Sequence, residues 1–444
     1  MRSPAALLGI ILLLGGCVRP FEEPIPPALE VVRPDLQQVF LDPYLVIELK
    51  PVTSFRPITW VAINGNPLHL DPTTNHWIDT LVLKPGLNML EVVAYDRGGN
   101  EGRDTLYAVY LRYRFTTFSA PPLPEPRGGH ALTRLASGDL LVTGGSYSMS
   151  SPAEATAFLL PAGASSFVPL PFPMEAARTD HTATLLPDGR VLILGGSRHQ
   201  SLRQPSDLVT LVEIYDPETR RFSHIPVVGS PPQRARHRTL IVALENGDVG
   251  VALLGGRGVT SLSQEIIPLR DYRTFILHND TLFADSPSPG FPFELLEGHA
   301  LTPLNVPSPG APGTYLITGT YFDEQQSITH NLYLTVSYES GLSYTELPLL
   351  FYPRTGHTAD RVGGNFAVIL GGYAEHPGNT VLQGEVFFPL PRSFFYFPEG
   401  SPSLRVPRWN HATTSWGVDR ILITGGFNTF GQGLTLSEWF EVIP

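Results

Sequence analysis

Short apolar runs broken by turn residues recur along the whole chain, and their arrangement is its first informative feature. In residues 58–111 apolar and polar positions alternate through "ITWVAINGNPLHL" and "WIDTLVLKPGLNMLEVVAYDRGGNEGRDTLYAVYL". Such alternation predicts strands, and Asn64-Gly65, Pro85-Gly86 and "RGGN" at 97–100 predict the hairpin turns between them. Further on, "RTDHTATLLPDGRVLILGG" (178–196) places two apolar runs around a Pro-Asp-Gly turn and ends on paired glycines. That is the layout of a hairpin. Composition agrees: 42% of residues are hydrophobic, 16% are charged, and 44 Pro and 42 Gly suit many short strands joined by tight turns. The chain is predicted to be all-β.

The stretch at 178 is one copy of a repeat. Related segments begin at Arg127, Arg234, Arg354 and Arg408, and a degenerate one at Leu296. Their histidines fall at 130, 181, 237, 299, 357 and 411, at spacings of 51, 56, 62, 58 and 54. In four copies 14 residues separate the histidine from the first glycine of the pair; the other two stretch this to 18 and 20. A third strand follows, clearest in "LVEIYDPETRRF" (211–222) and echoed by "LSEWFEV" near the end, and "RRFSHIP" supplies a fourth. A fixed period of this length signals a repeat fold of stacked four-stranded units.

In length and order of features the unit resembles the kelch repeat, and residues 114–444 hold six copies of about 55 residues each. The resemblance implies a six-bladed β-propeller whose glycines allow positive φ and close backbone approach near the axis. "RYRFTTFSAPPLP" (112–124) looks like a fourth strand placed ahead of the first copy. It is expected to complete the last blade and close the ring.

Ahead of the repeats, residues 36–113 resemble the Ig-like modules of bacterial surface proteins, through "ING" and the later "GLNMLEVVAYDRGGN". That resemblance implies a β-sandwich acting as a spacer. "MRSPAALLGIILLLGGC" has one early charge, an apolar stretch from Ala5 to Leu14 and two small residues before Cys17, and "LGGC" resembles the lipobox of bacterial lipoproteins. It implies a signal peptide over residues 1–16, lipidation of Cys17 and, from Val18, an outer-membrane destination, periplasmic or surface-facing. Residues 17–35 read as a proline-rich linker.

Cys17 is the only cysteine, so the folded part can hold no intrachain disulfide, thiolate metal site or catalytic thiol. Galactose oxidase, on a related propeller, needs a thioether made from a cysteine, and that cofactor cannot form here. Histidines spread one per copy are a repeat signature rather than a clustered metal motif, so neither metal nor cofactor is expected. A net charge of −11 without any Lys/Arg run argues against nucleic acid.

Arginine stands three residues before the histidine at Arg127, Arg178, Arg234, Arg354 and Arg408. These guanidiniums either ring the propeller mouth and hold an anion such as a carboxylated sugar, or, together with the histidines, tie neighbouring blades through backbone carbonyls. Asymmetric positions point more directly to a ligand: Trp409 replaces a small or polar residue and is placed to stack on a sugar, while the fourth copy has Leu296 for arginine and gains Glu297. The expected function is a non-enzymatic, membrane-anchored module binding a protein or glycan partner. The competing reading is a carbohydrate-active enzyme, similar to the six-bladed kelch mutarotases and epimerases of sialic acid.

Overall fold

The computed structural model describes residues 25–443, apart from 55, 245, 260–264, 270, 286–296, 306–312, 323–326, 330, 338–340, 364–365 and 376–377. The expected signal peptide (1–16), Cys17 and Leu296 lie outside the described residues. The fold is all-β; among the described residues the one helical element is a single 3-10 turn, Pro205–Asp207. The chain divides into two compact units, one formed by residues up to 36 with 44–83 and 88–108, the other by 37–43, 84–87 and everything from 109 onward.

In the first unit Tyr44–Thr53 is flanked by Ala28–Arg33 and His76–Val82, with His69–Asp71 at the edge. Ile58–Ile63 pairs with Gly86–Asp96 in a second sheet. Alternate residues Leu45, Ile47 and Leu49 are buried, with Val61, Ile63, Trp77 and Val92, as one-sided burial of strands requires. Asn64 and Gly65 both have positive φ and join Ile58–Ile63 to Asn66–Pro67, the expected hairpin. Pro85-Gly86 does something else: it links His76–Val82 to Gly86–Asp96, which belong to different sheets. The proline-rich linker also proves shorter than expected, because its second half, Ala28–Arg33, is a strand paired with Tyr44–Thr53. The apolar-polar alternation of "ALEVVR" outweighs the prolines, which flank that strand instead of interrupting it.

The second unit contains, among the described residues, six larger sheets in chain order. The first sheet is Ala131–Arg134, Leu140–Thr143, Ala157–Leu160 and Val168–Pro169. The second is Thr182–Leu185, Val191–Leu194, Val212–Asp216 and Arg221–Ile225. Each sheet begins with the hairpin predicted between the histidine and the glycine pair. The third sheet starts with Arg238–Ala243, the fourth with Ala300–Pro303, the fifth with Thr358–Val362 and the sixth with Ala412–Trp416. Second strands such as "VLIL" and "FAVIL" are buried along their whole length, because sheets cover both of their faces.

The last sheet is completed from far away in sequence. Arg112–Thr116 pairs antiparallel with Ser437–Ile443, from Arg112 opposite Ile443 to Thr116 opposite Trp439. Tyr113 stacks on Phe397 at 4.2 Å and lies 5.5 Å from Phe440, anchoring the added strand. The sixth sheet in turn packs on the first: Leu422 and Trp439 share an apolar cluster with Leu140, Val142, Phe158 and Leu160. This many-sheeted all-β unit fits a propeller.

Candidate functional site

The five repeated arginines do not form a ligand site. Arg127, Arg178, Arg354 and Arg408 are 0% exposed and Arg234 3%. In each, Nη1 donates to the carbonyl of the first glycine of its own sheet's pair: Gly144, Gly195, Gly255, Gly371 and Gly425, at 2.9–3.1 Å. Nη2 meets an acid, respectively Glu125, Glu213, Asp271, Glu385 and Glu438. Glu213, Glu385 and Glu438 are fully buried and stand on the third strands, in "VEIYD", "EVFF" and "SEWFEVI". That recurring glutamate was the sequence signal for an internal countercharge. The expected ring of free guanidiniums is thus corrected: a positively charged side chain wedged between strands must be paired inside the protein, and here the pairing leaves nothing for a ligand.

Ties between neighbouring sheets come from the arginine backbone and the histidine rings. The second glycine of a pair donates its N–H to the arginine carbonyl of the next sheet: Gly145 to Arg178, Gly196 to Arg234, Gly372 to Arg408, and Gly426 back to Arg127. A Cβ on Gly195 would come within 2.4 Å of the Arg234 carbonyl, which explains the glycine. Histidine Nε2 bonds a threonine hydroxyl of the preceding sheet: His130 with Thr424 at 3.0 Å, His181 with Thr143 at 2.8 Å, His357 with Thr318 at 2.9 Å and His411 with Thr358 at 2.9 Å. These links run through hydroxyls, not through carbonyls as expected. Burial holds the rings neutral, with His130 lowered to about 3 and His181, His237, His357 and His411 well below the usual histidine range.

Immediately before each of the six histidines one residue turns through left-handed backbone: Gly129, Asp180, Arg236, Gly298, Gly356 and Asn410. Their peptides form a chain of hydrogen bonds in which Asp180 N–H donates to Gly129, Arg236 to Asp180, Gly356 to Gly298, Asn410 to Gly356 and Gly129 to Asn410, at 2.7–2.9 Å. Three members are glycine, as positive φ favours. Asp180, Arg236 and Asn410 bear side chains in that conformation, and such backbone strain concentrates at functional positions.

Those side chains converge. Arg236 Nε lies 3.1 Å from Asp180 Oδ2, its Nη1 pairs with Glu297 Oε1, and its Nη2 donates to the Gln200 carbonyl at 2.8 Å. Glu297 Oε2 is 3.3 Å from Arg257 Nη1, and Asn410 Nδ2 is 3.3 Å from Asp180 Oδ1. Burial works against the charge on Arg236, but Glu297 and Asp180 outweigh it and raise its pKa. Burial raises the Asp180 carboxyl against the pull of Arg236. Arg236, Arg257, Glu297, Tyr373, Trp409 and Asn410 face a cavity of about 290 Å³. Trp409 is there as expected, but at 2% exposure, edge-on to Tyr373 at 5.0 Å, it forms a wall rather than an open stacking platform. Glu297, noted in the sequence only as a departure in a degenerate copy, is the acid that joins two arginines of the third sheet's segment.

The innermost strands add two charges without ion-pair partners among the described residues. Three places after each histidine the residues are Thr133, Thr184, Leu240, Thr302, Asp360 and Thr414. Asp360 accepts a hydrogen bond from the Thr413 hydroxyl, and burial pushes its carboxyl up to about 7. One place after the histidine, five residues are Ala or Thr and the sixth is Arg238. Among the described residues no group of three or more His, Cys, Asp or Glu is placed to hold a metal.

No protein-family model matches this chain. Nor does any curated protein. Among solved structures it is similar to one titled "Structure of YjhT", with a TM-score of 0.53 and 15% identity over 72% of this chain and 96% of that one. Another similar structure is a "Novel fungal alcohol oxidase with catalytic diversity among the AA5 family, in complex with copper", with a TM-score of 0.47 and 16% identity over 95% of this chain and 76% of that one. The first of these likenesses, together with the succession of small antiparallel sheets, gives the chain the all-β fold of a propeller-type protein.

Proposed function

We propose that this chain is a binding module of the bacterial cell envelope, exported and anchored through a lipidated Cys17, with an Ig-like spacer and a six-bladed kelch propeller that takes a glycan or a protein segment at its axial mouth. The observation that carries the reading is the converged set Asp180, Arg236, Glu297 and Asn410 beside a cavity of about 290 Å³, built from the positions where the repeats differ from one another. Residues that vary between otherwise equivalent blades serve one ligand rather than the repeat. The six sheets, closed by Arg112–Thr116 on the sixth, support the blade count. The test is a thermal-shift screen of the purified full chain against neutral sugars, acidic sugars and cell-wall fragments. A ligand at a hundredfold its dissociation constant stabilises by about 2.7 kcal/mol. A hit that disappears in Arg236→Ala supports the mouth; a hit indifferent to Arg236 and Asn410 refutes it.

One observation favours a second reading, a carbohydrate-active enzyme such as a mutarotase. Asp360, with its carboxyl near neutrality, has the proton affinity that general acid-base work requires. Acceleration of anomer exchange by the purified chain, lost in Asp360→Asn, would select this reading over the first.

A further inference from the structure

We propose that the mouth binds an extended, uncharged glycan, with one sugar unit in the cavity beside Arg236 and the next laid across Met149 into a second cavity. The inference rests on the mouth being the ligand site. The second cavity, of about 670 Å³, is lined by Ser150 and Ser151 from the loop after the first sheet's glycine pair, and by His199, Arg203, Gln204 and Asp207 from the corresponding loop of the second sheet. Met149 lines both cavities. The first, at about 290 Å³, sits at the lower limit of small-molecule sites, about 300–1,000 Å³, and the two together approach the upper end. The loops that carry these walls are pinned to one another by backbone hydrogen bonds. Met149 N–H donates to the Gly431 carbonyl of the sixth sheet's loop at 2.9 Å, Gly433 N–H to the Tyr147 carbonyl at 2.8 Å, and Ala153 N–H to the Arg198 carbonyl at 2.8 Å. Walls held in this way need little ordering when a ligand arrives.

Charge selects the ligand class. The charged residues lining the first cavity cancel, Arg236 and Arg257 against Glu297 and Glu375, while Asp180, outside that lining, is paired with Arg236. In the second cavity Arg203 is balanced by Asp207. Neither lining holds a surplus that would draw an ion of either sign. Two groups are left for a ligand, because among the described residues no hydrogen bond or ion pair engages the exposed Glu375 carboxylate or the exposed Arg203 guanidinium. The first only accepts hydrogen bonds and the second only donates them, and a sugar hydroxyl does both. Glu375 also stands in left-handed backbone, at φ 61°, where a side chain carries strain that collects at functional positions. Met149 supplies a pliable apolar surface between the two polar cavities, suited to the C–H face of a sugar ring. A peptide strand would instead require a free sheet edge with pockets for alternate side chains, whereas these walls come from loops and are mostly polar.

The experiment is titration calorimetry of the purified full chain and of its Arg203→Ala, Glu375→Gln and Arg236→Ala variants. The probes are cello-, malto- and N-acetylchito-oligosaccharides of one and four units, with galacturonate and glucosamine oligomers of the same lengths. The expected result has three parts: in at least one neutral series the tetramer binds at least tenfold tighter than the monomer; Arg203→Ala weakens the tetramer at least fivefold and leaves the monomer unchanged; and Glu375→Gln weakens both. Monomer and tetramer binding alike, both lost in Arg236→Ala, overturns the second cavity as a subsite and leaves the mouth reading standing; so does a tetramer indifferent to Arg203→Ala. Galacturonate or glucosamine oligomers binding tighter than every neutral series overturn the uncharged ligand. Absence of binding in all series overturns the inference and leaves the mouth to a protein segment. Tetramer binding unaffected by Arg236→Ala overturns the mouth reading, and this inference with it.

Discussion

Replacing Arg178 by alanine separates a structural arginine from a ligand-binding one. The change removes hydrogen bonds to the Gly195 carbonyl at 3.0 Å and the Ala176 carbonyl at 3.4 Å, together with the ion pair to Glu213. Glu213, fully buried, keeps among the described residues only the Glu175 N–H at 2.6 Å and loses its countercharge. Breaking a buried pair from one side costs about 3–5 kcal/mol. For a unit of this size that is a fall of about 4–7 °C in melting temperature. Removing both charges with Arg178→Met and Glu213→Leu together should recover most of the loss, because no lone charge stays behind. Calorimetry on the single and double variants gives the comparison. The reasoning is refuted if Arg178→Ala melts like the wild type, or if it abolishes ligand binding while the fold is unchanged.

Three further outcomes are expected. Deleting 112–116 should expose the edge of Ser437–Ile443 and strip Phe397 and Phe440 of Tyr113, so that melting loses cooperativity or drops sharply; an unchanged transition would contradict closure by that strand. The buried histidines have folded pKa values below their unfolded value near 6.5, so the unfolded state binds more protons in acid. Stability is then complete above that pH and falls as pH drops below it, by up to about 1.4 kcal/mol per pH unit for each ring; a melting temperature flat from pH 7 to 5 would contradict this. Asp360 acts in the opposite sense: with its folded pKa raised to about 7, its contribution to stability declines as pH rises from about 4 to 7, so Asp360→Asn should gain most over the wild type at pH 8 and least at pH 4, as pH-dependent melting would show.

Much of the fold was legible because repetition writes itself into sequence. The histidine-to-glycine interval marked every hairpin, and even the strand that closes the sixth sheet could be placed from its position ahead of the first copy. Pro85-Gly86 was misread because a turn signal states that the chain reverses, not which sheet receives it. Residues 28–33 were assigned to a linker because prolines were weighed above a short alternation.

The sequence by itself determined the period, the all-β class and the residues common to every copy, since these obey local rules of turn, strand and close approach. Only the tertiary structure decided what those residues do. Whether a guanidinium faces a ligand or a buried glutamate depends on a partner some thirty residues away, on a strand whose register sequence does not specify: Arg178 finds Glu213, and Arg354 finds Glu385. The candidate site was hidden for the same reason. Asp180, Arg236, Glu297 and Asn410 come from four separate repeats and meet only because the sheets turn about a common centre.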